Sequence, residues 1–98
     1  MRFEWDPVKD AANRKKHGVS FRETMEVFAN DADCLEIFDE EHSDEEDRFI
    51  AIGKSKRGVL VVVFSEPEGE VLRIVSARKA TKKERSLFEQ YERERHGR

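Results

Sequence analysis

The chain has 98 residues, enough for one domain with a modest core, and 42% of them are charged. Residues 1–50 contain 7 Lys and Arg against 15 Asp and Glu, a net charge of −8, whereas residues 51–98 contain 12 against 7, a net charge of +5. The resulting net charge of −3 argues against a protein that binds DNA non-specifically through broad phosphate neutralisation.

A single cysteine, Cys34, excludes an internal disulfide and a zinc site built from cysteines. One cysteine is compatible with a reducing compartment. The first residues lack the apolar run of a secretory signal, and no segment approaches the ~20 apolar residues needed to cross a membrane. We therefore expect a cytoplasmic protein without membrane contact, organised as one domain over residues 1–98.

The first part of the chain predicts one strand followed by two helices. The strand covers residues 2–5, and Asp6-Pro7 supplies an N-cap and a first-turn proline for a helix that ends at Gly18. Ser20 and Glu23 have the spacing of a capping box at the start of the second helix. Three residues on one face of this helix are predicted to be core: Phe21, Met25 and Phe28.

A strand predicted at 34–38 precedes the most acidic part of the chain. Residues 39–47 contain seven carboxylates, which predicts a solvated loop. A metal site there is the alternative, but no recognisable ligand spacing supports it. We predict neither a metal nor another cofactor.

The remaining sequence predicts three strands joined by two tight turns, and then a helix. The strands cover 48–53, 59–65 and 71–78, with antiparallel pairing across the short connections. A capping box at Thr81 and Glu84 begins the helix. Its predicted inward-facing residues are Leu87, Phe88 and Tyr91.

The predicted element order is therefore β-α-α-β-β-β-β-α. Consecutive hairpin-linked strands with helices before and after them indicate an α+β domain. We expect a small antiparallel sheet with the N-terminal helices and the C-terminal helix packed on it. Residues from about 93 to 98 are expected to form a flexible tail.

The segment from Arg73 to Arg85 is a focus of positive charge in an otherwise acidic chain. It contains six cations and one carboxylate, and guanidinium groups near the end of a strand are well suited to holding phosphate. Strand alternation places Arg73 and Arg78 on opposite faces of the sheet unless a β-bulge intervenes.

Several segments together resemble the signature of the BrnT toxins. They are Phe3-Glu4-Trp5-Asp6-Pro7, Lys9, Asn13, Lys16-His17-Gly18-Val19-Ser20-Phe21, Arg48, Gly53, Arg73-Ile74-Val75-Ser76-Ala77-Arg78-Lys79-Ala80-Thr81, Glu84 and Arg85. The resemblance implies a RelE-like fold and a ribonuclease toxin of a type II toxin–antitoxin module. It also implies a BrnA-like antitoxin with a DNA-binding part, so that operator DNA is contacted only through the antitoxin and the complex represses its own operon.

Metal-independent RNA cleavage requires a base near the 2′-hydroxyl, an acid near the leaving oxygen and cations for the developing charge. Arg78 is the first candidate phosphate ligand, because the resemblance places a signature arginine there; a salt bridge to the acidic loop is the alternative. Arg48 is its expected companion, with pairing to Glu46 or Asp47 as the alternative. Arg73 requires an anionic partner, either phosphate or carboxylate.

His17 is the acid–base candidate, because histidine exchanges protons near neutral pH. A capping role at the helix C-terminus is the alternative. Contacts to RNA are expected from Lys79, Lys54 and Trp5, although a tryptophan in a first strand is more often core.

Two functions compete at this level. The first is a ribonuclease toxin with an RNA substrate, held by its antitoxin in a hetero-oligomer; a toxin dimer is a further arrangement. The second is a non-catalytic module that binds the antitoxin and acts with it as an operon repressor. Edge strands in so small a sheet favour pairing with another chain under either hypothesis.

Overall fold

The computed structural model describes residues 2–29, 34–40, 47–67 and 69–96, in which the elements follow the predicted order. The strands are β1 (Arg2–Glu4), β2 (Leu35–Phe38), β3 (Arg48–Ser55), β4 (Gly58–Ser65) and β5 (Val71–Lys79). The helices are α1 (Pro7–His17), α2 (Met25–Ala29) and α3 (Lys82–His96), with a 3-10 turn at Arg22–Thr24 before α2. The last helix thus includes part of the segment expected to be a tail. No helix in the described residues is long and apolar enough to span a membrane.

Hydrogen bonds between residues that are close in the sequence explain where the helices begin and end. At the start of α1, Oδ1 of Asp6 accepts the N–H of Val8 at 2.8 Å, and Gly18 ends the helix with a φ of 71°. The capping box of α3 is present as predicted. The N–H of Thr81 donates to Glu84 at 2.8 Å, and the N–H of Glu84 donates back to the Thr81 hydroxyl at 3.2 Å.

The second helical segment confirms its predicted start but not all of its predicted core face. Ser20 and Glu23 form the capping box, with hydrogen bonds of 2.7 and 3.2 Å. Phe21 is fully buried and Phe28 packs against the core, but Met25 is 38% exposed. The prediction for Met25 is wrong because the segment opens as a 3-10 turn. Its three residues per turn rotate Met25 away from the face that an α-helix would give it.

The prediction that Leu87 faces inward is also wrong. Phe88 is fully buried and Tyr91 packs partly against the core, whereas Leu87 is 45% exposed. The helix therefore buries only the narrow stripe that contains Phe88 and Tyr91, and Leu87 lies about 100° around the helix axis from Phe88.

The five strands of the described sheet lie in the order β1-β5-β4-β3-β2. The three pairs formed by β2, β3, β4 and β5 are antiparallel as predicted, but β1 pairs with β5 in parallel. The sheet is therefore mixed rather than wholly antiparallel. The exception arises because helices, and not a tight turn, connect β1 to the other strands, and only a tight turn forces antiparallel pairing.

Buried side chains cover both faces of this sheet. The α1 face carries the larger cluster, in which Leu60, Phe64 and Ile74 pack against Val19 and Phe21. The opposite face, which we call the α3 face, carries a smaller cluster of Ile52, Val61, Ala80 and Phe88. The sheet thus lies between α1 and α2 on one side and α3 on the other.

A β-bulge in β5 decides which side chains share a face. Val63 of β4 pairs with Ser76, but its neighbour Phe64 pairs with Ile74, so that Val75 is an extra residue in β5. Strict alternation would separate Arg73 from Arg78. With the bulge, both point to the α3 face.

Candidate functional site

Opposite charges lie at the two ends of the sheet. At the acidic end are the β2–β3 and β4–β5 connections, whose described carboxylates include Asp39, Glu40, Asp47, Glu66 and Glu70. At the other end, the last turn of α1, the β3–β4 turn, the end of β5 and the first turn of α3 come together. This basic end carries Lys15, Lys16, His17, Lys54, Lys56, Arg57, Arg78, Lys79, Lys82 and Lys83.

Hydrogen bonds between distant parts of the chain hold the basic end together. Nη1 of Arg57 in the β3–β4 turn donates to the carbonyl of Gly18 at 2.6 Å and to Oε1 of Glu23 at 3.0 Å. The N–H of Ala80 donates to the carbonyl of Val59 at 2.9 Å. The contacts of Arg57 hold the C-terminus of α1 and the residues after it against the β3–β4 hairpin. The contact of Ala80 with Val59 holds the end of β5 against β4.

Arg78 forms a two-pronged ion pair with Glu84 in the first turn of α3. Its two terminal nitrogens donate to the two carboxylate oxygens at 2.7 and 2.8 Å. This pairing lowers the pKa of Glu84 to about 2, and it raises the pKa of Arg78. The alternative to a phosphate ligand at Arg78 was a salt bridge to the acidic loop, and the carboxylate that Arg78 contacts in the structure is instead Glu84. The Arg78 side chain as a whole remains 41% exposed.

In the described part of the basic end, three carboxylates, Glu84 among them, are each paired with a cation. Besides Glu84, Glu23 pairs with Arg57 at 3.0 Å and Glu92 pairs with Lys54 at 3.0 Å. A hydrogen bond from the N–H of Ser20, and then the Arg57 guanidinium, lower the pKa of Glu23. Lys79, an exposed lysine of this end, makes no ion pair with a residue in the described ranges. The described residues of this end therefore present a net positive surface.

The predicted site residues do not converge on one point. His17, Lys54, Arg78 and Lys79 lie at the basic end, with His17 half-buried as the last residue of α1. Alternation along β5 places Lys79 on the α1 face and Arg78 on the α3 face. These residues surround the end of β5 from both sides.

Arg48 and Arg73 lie at the acidic end instead. They flank Ser65 in adjacent strands of the α3 face, about 10 Å apart. Arg73 pairs with Glu4 of β1, at 2.8 Å from Nε and 2.7 Å from Nη2. Measured along the strands, Arg78 lies about 13 Å from the positions of Arg48 and Arg73. Arg48 is thus a neighbour of Arg73 rather than the expected companion of Arg78.

Trp5 belongs to the core side of the molecule. It is partly buried and packs edge-on against Phe21, with ring centroids 6.3 Å apart. This position agrees with the alternative from the sequence, in which the tryptophan is part of the core. A ring packed in this way has less surface available for stacking on an RNA base.

Two residues that hold the basic end in place, Arg57 and Asn13, had no role predicted from the sequence. Arg57 joins α1 to the hairpin, and its sequence signal is the pair Lys56-Arg57 in a short turn. Asn13 is buried and binds the backbone of Ala77 on both sides: its Nδ2 donates to the Ala77 carbonyl at 2.7 Å, and its Oδ1 accepts the Ala77 N–H at 3.1 Å. Asn13 is one of the residues that resemble the BrnT signature, so the sequence singles it out. The sequence does not predict its hydrogen bonds to the backbone of β5.

The fold and the sequence can be compared with those of known proteins. The structure is similar to the crystal structure of the Brucella abortus ribonuclease toxin BrnT, with a TM-score of 0.66 and 25% sequence identity, over 84% of this chain and 99% of that one. No curated protein sequence matches the chain significantly.

Residues 5–84 match the family described as the ribonuclease toxin BrnT of type II toxin–antitoxin systems. The chain therefore belongs to the BrnT family. Membership in a type II system implies that an antitoxin protein is its partner.

Proposed function

We propose that this protein cleaves RNA without a metal ion, by attack of a 2′-hydroxyl on the adjacent phosphate at the basic end of the sheet. The observation that carries the proposal is the separation of charge between the two ends. RNA is repelled from the acidic end, whereas a surface whose carboxylates are already paired attracts its phosphates.

Lys79 and Arg78 are the proposed phosphate ligands. They are consecutive residues at the end of β5, and they reach the solvent on either side of the sheet. Glu84 holds the Arg78 guanidinium in one orientation, which favours charge stabilisation because the donor need not reorganise during the reaction. Lys54 and Lys56 extend the positive surface along the RNA backbone.

His17 is the proposed acid–base group. As the 2′-oxygen bonds to phosphorus, the imidazole accepts its proton; the bond from phosphorus to the 5′-oxygen breaks, and the imidazolium gives the proton to that oxygen, which leaves as a hydroxyl. The products are a 2′,3′-cyclic phosphate and a 5′-hydroxyl end. The contact of Arg57 with Gly18, the next residue in the chain, fixes the backbone beside His17.

The proposal assigns Arg48 and Arg73 no contact with the reacting phosphate. They lie at the acidic end, and Arg73 is already paired with Glu4. Of the candidate catalytic and RNA-binding residues predicted from the sequence, the proposal places His17, Arg78 and Lys79 at the reacting phosphate.

The test compares three purified proteins on a labelled RNA, with and without EDTA: the parent, a His17→Asn/Lys79→Ala double variant and an Arg73→Ala control. Arg73 and Lys79 are both exposed cations on β5. We expect the parent and the control to release 2′,3′-cyclic phosphate ends, and the double variant to be at least a hundredfold slower. An uncut RNA with a folded parent would favour the non-catalytic repressor module, and activity lost on EDTA addition would contradict the metal-free mechanism.

We further propose that a BrnA-like antitoxin neutralises the protein in a cytoplasmic hetero-oligomer and that operator DNA is contacted only through this antitoxin. The acidic first half of the chain supports a basic partner segment. Inducible expression with and without a gene for a BrnA-like antitoxin tests the proposal: growth arrest without the antitoxin and recovery with it is the expected result, and equal growth in both cultures would contradict it.

A further inference from the structure

Helix α1 is attached to the sheet through polar side chains. All of its residues are described, and Asn13 is the one that is buried. Asp10 and His17 are half-buried, and the other residues of the helix are exposed. Because the three positions are three and four residues apart, they form one stripe along the helix. A helix that packs on a sheet usually presents an apolar stripe, whereas α1 presents a polar one.

Asn13 uses its whole side-chain amide to bind two segments of backbone. The two hydrogens of Nδ2 are donated to the carbonyls of Val19, at 2.9 Å, and Ala77, at 2.7 Å. Oδ1 accepts the N–H of Ala77 at 3.1 Å. The amide therefore binds one residue of β5 through both of its backbone groups, and it also binds the chain that leaves α1.

These hydrogen bonds fix the position of α1 along β5. Apolar contacts are not directional, so an apolar stripe would allow a helix to slide along the sheet by a fraction of a turn. Hydrogen bonds weaken steeply when their length or angle departs from the optimum. Three of them at one side chain therefore permit a single register between Asn13 and Ala77.

The direction of α1 relative to β5 follows from the pairs at its two ends. Glu4, three residues before the helix, is paired with Arg73 in the parallel β1–β5 ladder. Asn13, in the second half of the helix, binds Ala77. The helix therefore advances along β5 in the direction of that strand, toward the basic end.

From this fixed point, His17 and Lys79 reach the same level. His17 follows Asn13 by four residues, so it lies on the same side of the helix and about 6 Å farther along. Lys79 follows Ala77 by two residues, so it lies on the same face of β5 and about 7 Å farther along. The register at Asn13 thus determines how close the imidazole and the ammonium group lie.

The members of the polar stripe differ in what they bind. Oδ1 of Asp10 accepts the N–H of Phe21 at 2.8 Å, and Asn13 binds the backbone as described. The side chains of His17 and Lys79 make no hydrogen bond or ion pair with any other residue in the described part of the chain. The first two residues of the stripe therefore hold the structure, and the third is available for proton transfer.

We infer that Asn13 is a positioning residue, which sets the register of α1 on β5 at which His17 and Lys79 face the same phosphate. General acid–base catalysis requires the proton-transferring group to lie within hydrogen-bond reach of the reacting atom. The catalytic consequence of this inference rests on the proposed RNA cleavage, but the register itself can be measured without RNA.

The first test measures the register by cross-linking. A His17→Cys/Lys79→Cys chain is treated with a short bis-maleimide, with Asn13 present or replaced by Ala; the native Cys34 is buried, and the parent chain is the blank. We expect the intramolecular cross-link to form about tenfold more slowly with Asn13→Ala, because the two thiols then meet less often. Equal rates, or no cross-link in either chain, would overturn the inference.

A stability control accompanies this comparison. Leu72→Ala removes a buried side chain near the other end of β5 and weakens the same core without removing a bond of Asn13. Circular dichroism first establishes that each variant is folded at the assay temperature. The cross-linking rate with Leu72→Ala should stay within about twofold of the parent rate. A loss as large as that with Asn13→Ala would assign the effect to general destabilisation and overturn the inference.

The second test measures RNA cleavage by the same substitutions in the otherwise unchanged chain. Asn13→Ala should lower kcat about a hundredfold with little change in KM, because a small displacement of a catalytic group has an effect of this size. Leu72→Ala should preserve both constants. The Asn13→Ala/His17→Asn double variant should be little slower than His17→Asn alone, since the register matters only while the imidazole is present. Losses that multiply would overturn the inference.

The two tests separate this inference from the proposed function. A parent chain that does not cut RNA, but whose cross-linking depends on Asn13, would refute the proposed cleavage and support the register. A parent chain that cuts RNA, but whose cross-linking does not depend on Asn13, would refute the inference alone.

Discussion

Asn13 offers the sharpest test of how this fold is held together. Its side chain makes three hydrogen bonds in a buried position: Nδ2 donates to the carbonyls of Val19 and Ala77 at 2.9 and 2.7 Å, and Oδ1 accepts the Ala77 N–H at 3.1 Å. The amide thereby substitutes for a neighbouring strand along part of β5 and ties α1 to the sheet. Asn13→Ala removes all three bonds at once.

The loss of stability follows from the backbone groups that the substitution leaves without a hydrogen-bond partner. A buried donor or acceptor without a partner costs about 1–3 kcal/mol. The Ala77 N–H loses its acceptor, while each carbonyl keeps a second lone pair for other contacts. We therefore expect Asn13→Ala to lower the free energy of unfolding by about 2–4 kcal/mol. For a domain of this length, that loss lowers the Tm by roughly 10–25 °C.

Urea unfolding followed by circular dichroism measures this loss. The exposed Lys9→Ala on the same helix is the control and should change the unfolding free energy by less than about 0.5 kcal/mol. An Asn13→Ala loss below about 1 kcal/mol, with an unchanged m value, would refute the bridging function.

Asn13→Asp tests the same contacts through pH. It replaces the donor by a carboxylate that faces two carbonyl oxygens. The pKa of the introduced carboxyl should rise in the folded state, because its charged form is disfavoured there. Stability should then be greatest below the unfolded-state pKa and fall as the pH rises through the folded-state pKa. A variant equally stable at pH 4 and pH 7 would contradict this.

Three further outcomes are expected. Because the folded-state pKa of Glu84 is lowered to about 2, its pair with Arg78 stabilises the fold above the unfolded-state pKa; in urea unfolding, Glu84→Gln should cost about 1 kcal/mol at pH 7 and almost nothing at pH 2, after allowance for solvent screening. Gly53→Ala would place its Cβ 2.8 Å from Cγ1 of Val27 and should cost about 1–3 kcal/mol by thermal unfolding, with partial rescue by Val27→Ala. In RNA titrations at several salt concentrations, Lys79→Ala should reduce the slope of log affinity against log salt by about 0.7. A pH-independent Glu84→Gln effect, no rescue at Gly53, or an unchanged slope would each contradict its prediction.

Much of the fold could be predicted because its signals are local. The caps at Asp6, Ser20 and Thr81 join residues no more than three positions apart, so the sequence contains both partners of each bond. The errors at Met25 and Leu87 have a different origin. They depend on how a helix is wound and on how wide a stripe the sheet covers, which a periodic pattern does not specify.

The candidate site was less predictable. The arginines were visible in the sequence, but their neighbours were not: Arg73 pairs with Glu4, 69 positions away, and Arg57 bonds to Gly18, 39 positions away. Such contacts depend on strand order and register. For the same reason, the expected pair of Arg48 and Arg78 is separated, and Arg48 lies beside Arg73 instead.

The sequence by itself determined the order of the elements, most of the helix ends and the BrnT family, because each depends on residue types at short spacing. The tertiary structure alone decided the bulge at Val75, which brings Arg73 and Arg78 to one face, and the parallel place of β1. It also decided which charged residues meet at each end of the sheet. These follow from packing all strands and helices around one core, where every register depends on the others.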